Sequence, residues 1–327
     1  MTRGLIIGKF LPPHKGHVAL IEFAARQCDE VIVSISHAKD DPIDPELRLG
    51  WLQEIFRDRP NIKSFIIDDN FDDPQQPLAE RTKIWAEFIQ RTYPPIDLVF
   101  SSENYGEPFA ANLNAKHVSF DPDRKQFPVS ATQIRNAPFQ FWNFIPDEVK
   151  PHFVKKISLY GAESTGKSVM AKKMAEKYHT VFVPEVAREM ITSNKFNRED
   201  IIAIGREQTA RIFKQARKAN RILFCDTDVI TTQIYSRHYL KVVPPVLYEF
   251  ERMVQYDLYF LFDIDTPWVS DGLRDQGSAE ARKAMHAIFK EELNRRNIGY
   301  IDVHGTWQER EEIVTDAVNK LFESELE

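Results

Sequence analysis

The sequence has few cysteines and no long apolar segment. Cys28 and Cys225 are its only cysteines, and neither belongs to a Cys-x-x-Cys pair. A disulfide framework and a zinc site built from cysteines are therefore excluded. No stretch approaches the roughly 18 consecutive apolar residues that a membrane-spanning helix needs, and the short apolar run near the amino terminus is unlike a signal peptide. We expect a cytoplasmic protein without membrane contacts.

An excess of positive charge is also lacking. Lys and Arg total 43 and Asp and Glu total 49, so the formal net charge at pH 7 is −6. Binding of nucleic acid through bulk charge requires clustered cations, so no nucleic acid partner is expected. Anionic ligands would need local devices such as helix N-termini and a few Lys or Arg side chains. The sequence leaves the oligomeric state open, a homo-oligomer included.

The 327 residues favour two domains, and their patterning is that of an α/β protein. Short apolar runs alternate with amphipathic segments, which predicts parallel strands joined by helical crossovers. Pro138, Pro146 and Pro151 interrupt this alternation, so domains of residues 1–150 and 151–327 are expected. The predicted strands cover residues 4–7, 30–36, 63–67, 97–101, 156–160, 221–225 and 257–263, and the predicted helices cover residues 18–27, 45–56, 78–93, 169–178, 200–220 and 279–296.

The segment GKFLPPHKGH, residues 8–17, lies between the first predicted strand and the first predicted helix. Ligands of open parallel sheets bind beyond the carboxyl ends of strands, so this loop stands where a site is expected. His14 and His17 flank a glycine and can direct both imidazoles into one pocket. Two surface histidines are the simpler alternative, and Lys15 is equally compatible with a solvated lysine.

This segment resembles the G-x-F-x-P-x-H-x-G-H signature of nicotinamide-nucleotide adenylyltransferases, within the nucleotidyltransferase superfamily. The family also predicts S-x-T-x-I-R, which is present at residues 130–135. Ser130 and Thr132 are helix-capping types that can bind phosphate, and Arg135 adds a cationic fork for pyrophosphate. The residues 101–106 (SSENYG) and the D-P-x-R stretch at 121–124 fit nucleotide recognition but could equally be ordinary turns. The resemblance implies catalytic roles for His14, His17 and Arg135, and nucleotide binding by Gly8, Lys9, Phe10, Ser102, Tyr105, Asp121, Ser130 and Thr132.

A second phosphate motif opens the other predicted domain. Residues 161–168 (GAESTGKS) fit the P-loop pattern G-x-x-x-x-G-K-[ST], and they lie between a predicted strand and a predicted helix. In such a loop the backbone amides surround the phosphates, Lys167 reaches the β- and γ-oxygens, and Ser168 ligates Mg²⁺. The residues expected to bind the nucleotide are Gly161, Ser164, Thr165, Gly166, Lys167 and Ser168.

Acidic residues follow the predicted strand 221–225 and a further short strand predicted just before Glu185. Asp226 is our choice for the second magnesium ligand, and Asp228 is expected to face the substrate, with capping of the next helix as its alternative. Glu185 could take a proton from a sugar hydroxyl, with Arg188 one helical turn away. An ordinary surface pair of Glu185 and Arg188 is an equally good explanation.

The residues 268–277 (WVSDGLRDQG) follow another predicted strand and are typical of a lid over a phosphate site. Arg274 is expected to neutralise charge on the γ-phosphate, in a catalytic role. Trp268 could stack on a flat ring of the ligand, or it could simply pack beneath the lid.

An H-x-G-H domain followed by a P-loop domain resembles the NadR-type bifunctional family. The resemblance extends to R-x-x-P-F-Q-x-W-x-F-I-P at the joint and to D-T-D-x-I-T-T-Q at residues 226–233. It implies a Rossmann-like nicotinamide mononucleotide (NMN) adenylyltransferase domain and a P-loop ribosylnicotinamide kinase domain. It also implies ATP and Mg²⁺ as cofactors, and nicotinamide riboside, NMN and NAD as ligands. The helix-turn-helix repressor module that opens some members is not expected here.

Two other functions fit part of the pattern. A regulatory sensor could bind nucleotides at one or both sites without turnover, although the intact His14, His17, Lys167, Ser168 and Asp226 argue against it. An enzyme acting on pantetheine phosphate or a sugar phosphate is excluded by the resemblance rather than by the chemistry. The sequence does not separate nicotinate from nicotinamide substrates, nor does it show whether an intermediate passes between the sites.

Overall fold

The protein is described here by a computed structural model that covers residues 1–70, 72–73, 75–191, 196–268 and 278–325. The chain forms two compact units, which are residues Met1–Lys150 and Pro151–Ser324. Each unit surrounds a five-stranded sheet in which all paired strands are parallel. Within the described ranges, every helix is too short or too polar to cross a membrane.

The amino-terminal unit contains a sheet of strand order β3-β2-β1-β4-β5. Because the chain runs outwards from β1 first to one side and later to the other, a crevice forms where β1 meets β4. The strands are β1 (Arg3–Gly8), β2 (Glu30–His37), β3 (Ile62–Asp68), β4 (Leu98–Ser101) and β5 (Lys116–Ser119). The helices are α1 (Lys15–Ala25), α2 (Pro45–Ile55), α3 (Leu78–Thr92), α4 (Gly106–Asn112) and α5 (Ala131–Asn136), followed by a 3₁₀ turn at Trp142–Phe144.

Both faces of this sheet are covered by helices. Ile6 and Val33 belong to a core that includes Ile21 of α1, while Leu5 and Ile32 belong to another core with α3 and α4. Neighbouring strand residues thus point to opposite cores, and the sequence of β2 is apolar nearly throughout because both its faces are buried.

The carboxyl-terminal unit has the strand order β10-β9-β6-β8-β7. Here β6 lies between β8 and β9, so the second switch point falls at the carboxyl end of β6. The strands are β6 (Lys155–Tyr160), β7 (Phe182–Val183), β8 (Ile222–Asp226), β9 (Leu258–Phe262) and β10 (Ile301–Val303). The helices are α6 (Lys150–Phe153, at the division), α7 (Lys167–Lys177), α8 (Ala187–Met190), α9 (Arg198–Ala216), α10 (Val229–Leu240), α11 (Val246–Met253), α12 (Ala279–Arg295) and α13 (Trp307–Ser324).

The parallel α/β architecture predicted from the sequence is confirmed. The predicted strands and helices coincide with observed elements, with ends that differ by a few residues. The first helix begins three residues earlier than expected, at Lys15, because the histidine motif itself forms its start. The sequence did not predict β5 and β10, which are edge strands of four and three residues and too short to show a clear apolar pattern.

Candidate functional site

The paired histidines lie at the first switch point, His14 at the end of the loop that follows β1 and His17 in the first turn of α1. His14 is the N-cap residue of α1, with extended backbone angles, and only 8% of it is exposed. A Cβ atom added to Gly16 would lie 3.0 Å from Cε1 of His14 and 3.1 Å from Cβ of Phe127. The glycine between the histidines is therefore needed to leave room for the ring of His14.

The two imidazoles form a stacked pair. Their ring centroids are 3.7 Å apart, and the backbone N–H of His14 donates to Nδ1 of His17 over 3.3 Å. Since Nδ1 of His17 accepts this bond, its neutral ring carries the proton on Nε2, which is left to donate to a ligand.

Burial keeps both rings neutral. It lowers the pKa of His14 to about 4, with a smaller contribution from the charge of Arg124. Burial also holds the pKa of His17 well below its usual value, assisted by His14 and then Arg124. At neutral pH the pair consequently offers hydrogen bonds rather than positive charge.

A cavity of about 240 Å³ opens beside the histidines. Arg135 does not line it, but its guanidinium donates to the carbonyl of Leu11 within the histidine loop and to Oγ1 of Thr132 over 3.1 Å. Ser130 caps α5, since its Oγ accepts the N–H of Gln133 over 3.2 Å. The structure thus brings the two signatures together. The predicted residues that line the cavity are Gly8, Lys9, Phe10, His14, His17, Ser102, Tyr105 and Asp121.

Two of these lining residues also organise the cavity wall. The carboxylate of Asp121 accepts backbone N–H groups of residues 125–127 over 2.8–3.2 Å, which shapes the turn that carries Arg124. Arg124 pairs with Glu103 over 2.6 Å. The hydroxyl of Tyr105 donates to the carbonyl of Ile7 over 2.9 Å. Polar atoms of Asp121 and Tyr105 are therefore already used within the protein.

Lys9 has a carboxylate partner that the sequence did not indicate. Its ammonium lies 2.8 Å from Asp41, which also pairs with Arg48 over 3.2 Å. Arg48 is fully buried and donates to the carbonyls of Lys9 and Ser36 over 2.7 and 3.1 Å. The guanidinium on α2 therefore fixes the backbone at the start of the histidine loop.

A neighbouring cavity of about 190 Å³ shares Gly8, Lys9 and Tyr105 with the first. Trp85 lies on its wall, edge-on to Tyr105 at 5.6 Å. Arg81 lies 5.0 Å over the indole and pairs with Asp72 over 2.7 Å. Nothing in the sequence distinguishes these residues, because α3 shows only the ordinary spacing of an amphipathic helix.

The loop between β6 and α7 has the backbone shape expected of a P-loop. Gly161 and Gly166 have φ values of 138° and 90°, and Ser164 has a φ of 57°. A Cβ atom on Gly166 would overlap the indole of Trp307, and one on Gly161 would lie 2.9 Å from the carbonyl oxygen of Phe262. Both glycines are therefore required by conformation and by close packing.

Lys167, the first residue of α7, is buried at the end of this loop. Its ammonium donates to the carbonyl of Ala162 over 2.7 Å, and the same oxygen accepts the Thr165 hydroxyl over 2.9 Å. Burial lowers the pKa of Lys167, while the carboxylates of Asp226 and Glu185 oppose that shift. Arg310 is also fully buried and donates to the carbonyl of Thr165 over 2.9 Å, a contact between α13 and the loop that the sequence did not suggest.

Asp226 and Ser168 are joined by a side-chain hydrogen bond beside the P-loop. Asp226 is 1% exposed, and one of its carboxylate oxygens has no hydrogen-bond partner among the described residues. Burial and then Glu185 raise its pKa to about 6, although Lys167 and a hydrogen bond with Ser168 oppose them. No group of three or more His, Cys, Asp or Glu side chains in the described ranges could hold a metal. One carboxylate beside one hydroxyl nevertheless fits Mg²⁺, which takes most other ligands from phosphate and water.

A cavity of about 120 Å³ lies beyond the carboxyl end of β7. Glu185 and Arg188 both line it, and Nε of Arg188 donates to the Glu185 carboxylate over 2.7 Å. Glu185 and Arg188 therefore form an ion pair that lines a cavity. The polar part of the remaining lining consists of Glu163, Gln208, Thr227, Thr231, Thr232, Tyr235 and Tyr239.

Asp228 occupies the capping position that was the alternative to its predicted substrate-facing role. It is the N-cap of α10, and its Oδ1 accepts the N–H of Thr231 over 2.9 Å and the hydroxyl over 3.0 Å. It is 1% exposed and does not line the cavity. Burial raises the pKa of Asp228 to about 6, against its bonds with Thr231. The capping alternative describes this residue, and a contact with substrate stays a prediction.

Most of the predicted lid, residues 269–277, lies outside the described residues. Arg274 lies outside the described residues. Trp268, the last described residue before that gap, is partly buried.

Both units match known protein families. Residues 5–137 match the Cytidylyltransferase-like family, and residues 156–310 match the AAA domain family. Over the whole chain, the fold is similar to the crystal structures of NadR protein in complex with NAD and AMP-PNP and in complex with NR. The TM-scores are 0.80 and 0.81 at 24% identity, with 98% and 100% of this chain and 96% and 97% of those chains covered.

Similar sequences cover either nearly the whole chain or about half of it. The trifunctional NAD biosynthesis/regulator protein NadR of Escherichia coli K12 is 31% identical over 92% of this chain and 78% of its own length. The protein of the same name from Salmonella typhimurium LT2 has the same identity and coverage. The nicotinamide-nucleotide adenylyltransferase of Thermococcus sibiricus is 26% identical over 47% of this chain and 84% of its own length. With both motifs at the switch points and this similarity along its length, the chain belongs to the NadR family.

Proposed function

We propose that this chain is a bifunctional enzyme of NAD salvage. Its carboxyl-terminal unit phosphorylates nicotinamide riboside with Mg-ATP, and its amino-terminal unit adenylylates the resulting NMN with ATP, giving NAD and pyrophosphate. The observation that carries the proposal is the presence of two phosphate-binding loops, each at the switch point of its own sheet, in a member of the NadR family.

The amino-terminal site suits adenylyl transfer. The NMN phosphate is already an anionic nucleophile, so the protein needs only to align it with the α-phosphorus of ATP and to stabilise the charge that develops. Nε2 of His17 and the stacked ring of His14 supply neutral hydrogen bonds there. Arg135, which donates to the carbonyl of Leu11 in the same loop, brings positive charge for the departing pyrophosphate.

The neighbouring cavity suits the NMN acceptor. Trp85 offers a flat apolar surface to a pyridine ring, and Ser36 and Asp69 offer polar atoms at the same wall. Because this cavity shares Gly8, Lys9 and Tyr105 with the histidine cavity, a ligand in each would meet at the end of β1.

The carboxyl-terminal site suits phosphoryl transfer. The P-loop amides and Lys167 bind the β- and γ-phosphates, and Ser168 and Asp226 would hold Mg²⁺, which neutralises phosphate charge when bound. Glu185 accepts the proton of the riboside 5′-hydroxyl as that oxygen bonds to the γ-phosphorus and ADP leaves. Arg188 keeps the Glu185 carboxylate in place through its 2.7 Å hydrogen bond.

Incubation with Mg-ATP and nicotinamide riboside tests this function. We expect mass spectrometry to detect NMN and ADP first, and NAD and pyrophosphate afterwards. With NMN supplied instead of the riboside, NAD should form without ADP. A protein that binds these compounds but forms neither product would be a sensor, and the proposal would be wrong.

The cytoplasm is the location that we propose for this activity. Cys28 and Cys225 are both free and buried, which suits a reducing compartment. Fractionation of the native host, followed by detection of the chain in the soluble fraction, tests this assignment.

A further inference from the structure

Gln208 is an unusual residue in the wall of the carboxyl-terminal cavity. It lies on α9 among buried apolar residues, it is 2% exposed, and it lines the cavity of about 120 Å³. Glutamine is mostly found at protein surfaces, and buried polar atoms normally have a hydrogen-bond partner. A buried glutamine that faces a cavity therefore indicates that its amide has a ligand to bind.

The orientation of this amide is fixed by the protein. Its Oε1 accepts the backbone N–H of Val186 over 3.0 Å. A backbone N–H can pair only with the oxygen of the amide, so the –NH₂ group occupies the other position. Nε2 of Gln208 is buried and has no partner among the described residues. The side chain consequently presents a hydrogen-bond donor in a set direction.

The other polar groups of the cavity have different capacities. The carboxylates of Glu163 and Glu185 can accept from hydroxyls, and the hydroxyl of Thr231 already donates to Asp228 over 3.0 Å. The Gln208 –NH₂ can only donate, so its natural partner is an atom that can only accept, such as a carbonyl oxygen. Tyr235 lines the same cavity and offers an aromatic surface for a flat cationic ring.

Building on the proposed riboside kinase activity, we propose that Gln208 is a specificity-determining residue, whose –NH₂ donates to the carbonyl oxygen of the carboxamide on the nucleoside base. The acceptor nucleoside is thereby selected by its base as well as by its sugar. A nucleoside without that oxygen leaves the buried donor unpaired, and a site built to pair it discriminates against such a substrate.

Two nucleosides and two variants test this assignment. The substrates are nicotinamide riboside and ribosylpyridinium, which has the same cationic ring without the carboxamide. For the wild type we expect kcat/KM to be about 10–100-fold higher with nicotinamide riboside. Gln208→Glu keeps an acceptor for the Val186 N–H but removes the donor, and Gln208→Met removes both. Each variant should lose about 10–100-fold with nicotinamide riboside and should not fall with ribosylpyridinium.

Thr209→Val is the matched control on the same helix. Thr209 is buried, donates to the carbonyl of Gly205 over 2.8 Å and does not line the cavity, so its variant should treat both nucleosides like the wild type. Equal losses of the Gln208 variants with both nucleosides would overturn the inference, and Gln208 would then only hold the Val186 segment. Unchanged rates with nicotinamide riboside would overturn it as well. A wild type that phosphorylates neither nucleoside would overturn the proposed function and the inference with it.

Discussion

The two loops proposed to bind phosphate occupy equivalent places in their sheets but differ in the groups that they offer to a ligand. Each follows a strand that lies at the switch point of a five-stranded parallel sheet, and each leads into an eleven-residue helix. The carboxyl-terminal loop depends on backbone shape, with Gly161 and Gly166 at positive φ and Lys167 buried among them. The amino-terminal loop depends on the side chains of His14 and His17, whose rings are stacked and neutral.

In the proposed function, the topology of each sheet sets where phosphate binds, and the composition of each loop sets how it is bound. A loop of backbone amides with a lysine suits the highly charged β- and γ-phosphates of ATP. Neutral imidazoles suit the α-phosphate, whose oxygens gain further negative charge as the reaction proceeds. Substitutions that affect one loop and spare the other are therefore the most direct test of the comparison.

Lys167→Ala should cause the largest effect. It removes the charged donor of the P-loop, so riboside phosphorylation should fall at least about 10³-fold. Conversion of supplied NMN to NAD should continue near the wild-type rate, because that reaction uses the other sheet. Separate assays of ADP and NAD formation measure both. Loss of NAD formation from NMN in a folded variant would mean that the P-loop serves adenylyl transfer.

His17→Ala is the reciprocal change. It removes the Nε2 donor and the stacking partner of His14, and NAD formation should fall about 10²–10³-fold. Phosphorylation of nicotinamide riboside should stay close to the wild type, as measured by ADP release with the riboside as the only acceptor. Parallel loss of both activities in a folded protein would contradict the assignment of two independent sites.

Glu185→Gln sharpens the comparison within the carboxyl-terminal unit. The variant keeps a hydrogen-bond acceptor for Arg188 but cannot take a proton, so kinase turnover should fall by about 10²–10⁴-fold. A loose transition state needs only modest help from a base, which places the expected loss at the lower end. The affinity for ATP and the formation of NAD from NMN should change little.

Asp228→Asn is the control for this assignment. Asp228 caps α10 and does not line the cavity, so its variant should act mainly on stability. Near-normal turnover of Glu185→Gln, together with a collapse in a folded Asp228→Asn variant, would transfer the role of base to Asp228.

The smallest expected effect concerns the pH dependence of stability. The pKa of His14 is about 4 in the folded protein and about 6.5 when unfolded, so its contribution is complete above pH 6.5 and is lost as the pH falls towards 4. Between pH 7 and pH 5 the free energy of unfolding should decrease by about 2 kcal/mol on this account. His14→Asn should lack this component. Hydrogen exchange of the β1 amides at both pH values measures the difference, and equal pH responses of the two proteins would contradict it.

The sequence predicted both loops because each is encoded by a short local pattern. The apolar runs of β1 and β6 and the motifs that follow them lie within about twenty consecutive residues each. The arginine side chains that donate to backbone carbonyls of these loops were not predicted. Arg48 reaches a carbonyl 39 residues away and Arg310 reaches one 145 residues away, and only the tertiary structure places them there.

The role of single charged residues was harder to predict than the position of the loops. Lys9 belongs to a phosphate motif, but its ammonium pairs with the carboxylate of Asp41. Asp226 ends a buried strand and Asp228 follows two residues later, yet Thr227 between them has a φ of 69° and the two carboxylates contact different neighbours. A pattern of residue types does not specify such directions.

The indole of Trp307 gives the P-loop an optical signal of its own. Its ring packs against Gly166, and its side chain is half exposed, so a nucleotide entering the loop changes the polarity around it. A non-hydrolysable ATP analogue should therefore shift the tryptophan emission, and Trp307→Phe should remove that part of the signal. Trp85 lies in the wall of the cavity proposed for NMN in the other unit, and it offers a separate signal there. Ligand binding can thus be followed without a label, through the fluorescence of Trp307 for the carboxyl-terminal unit and of Trp85 for the amino-terminal unit.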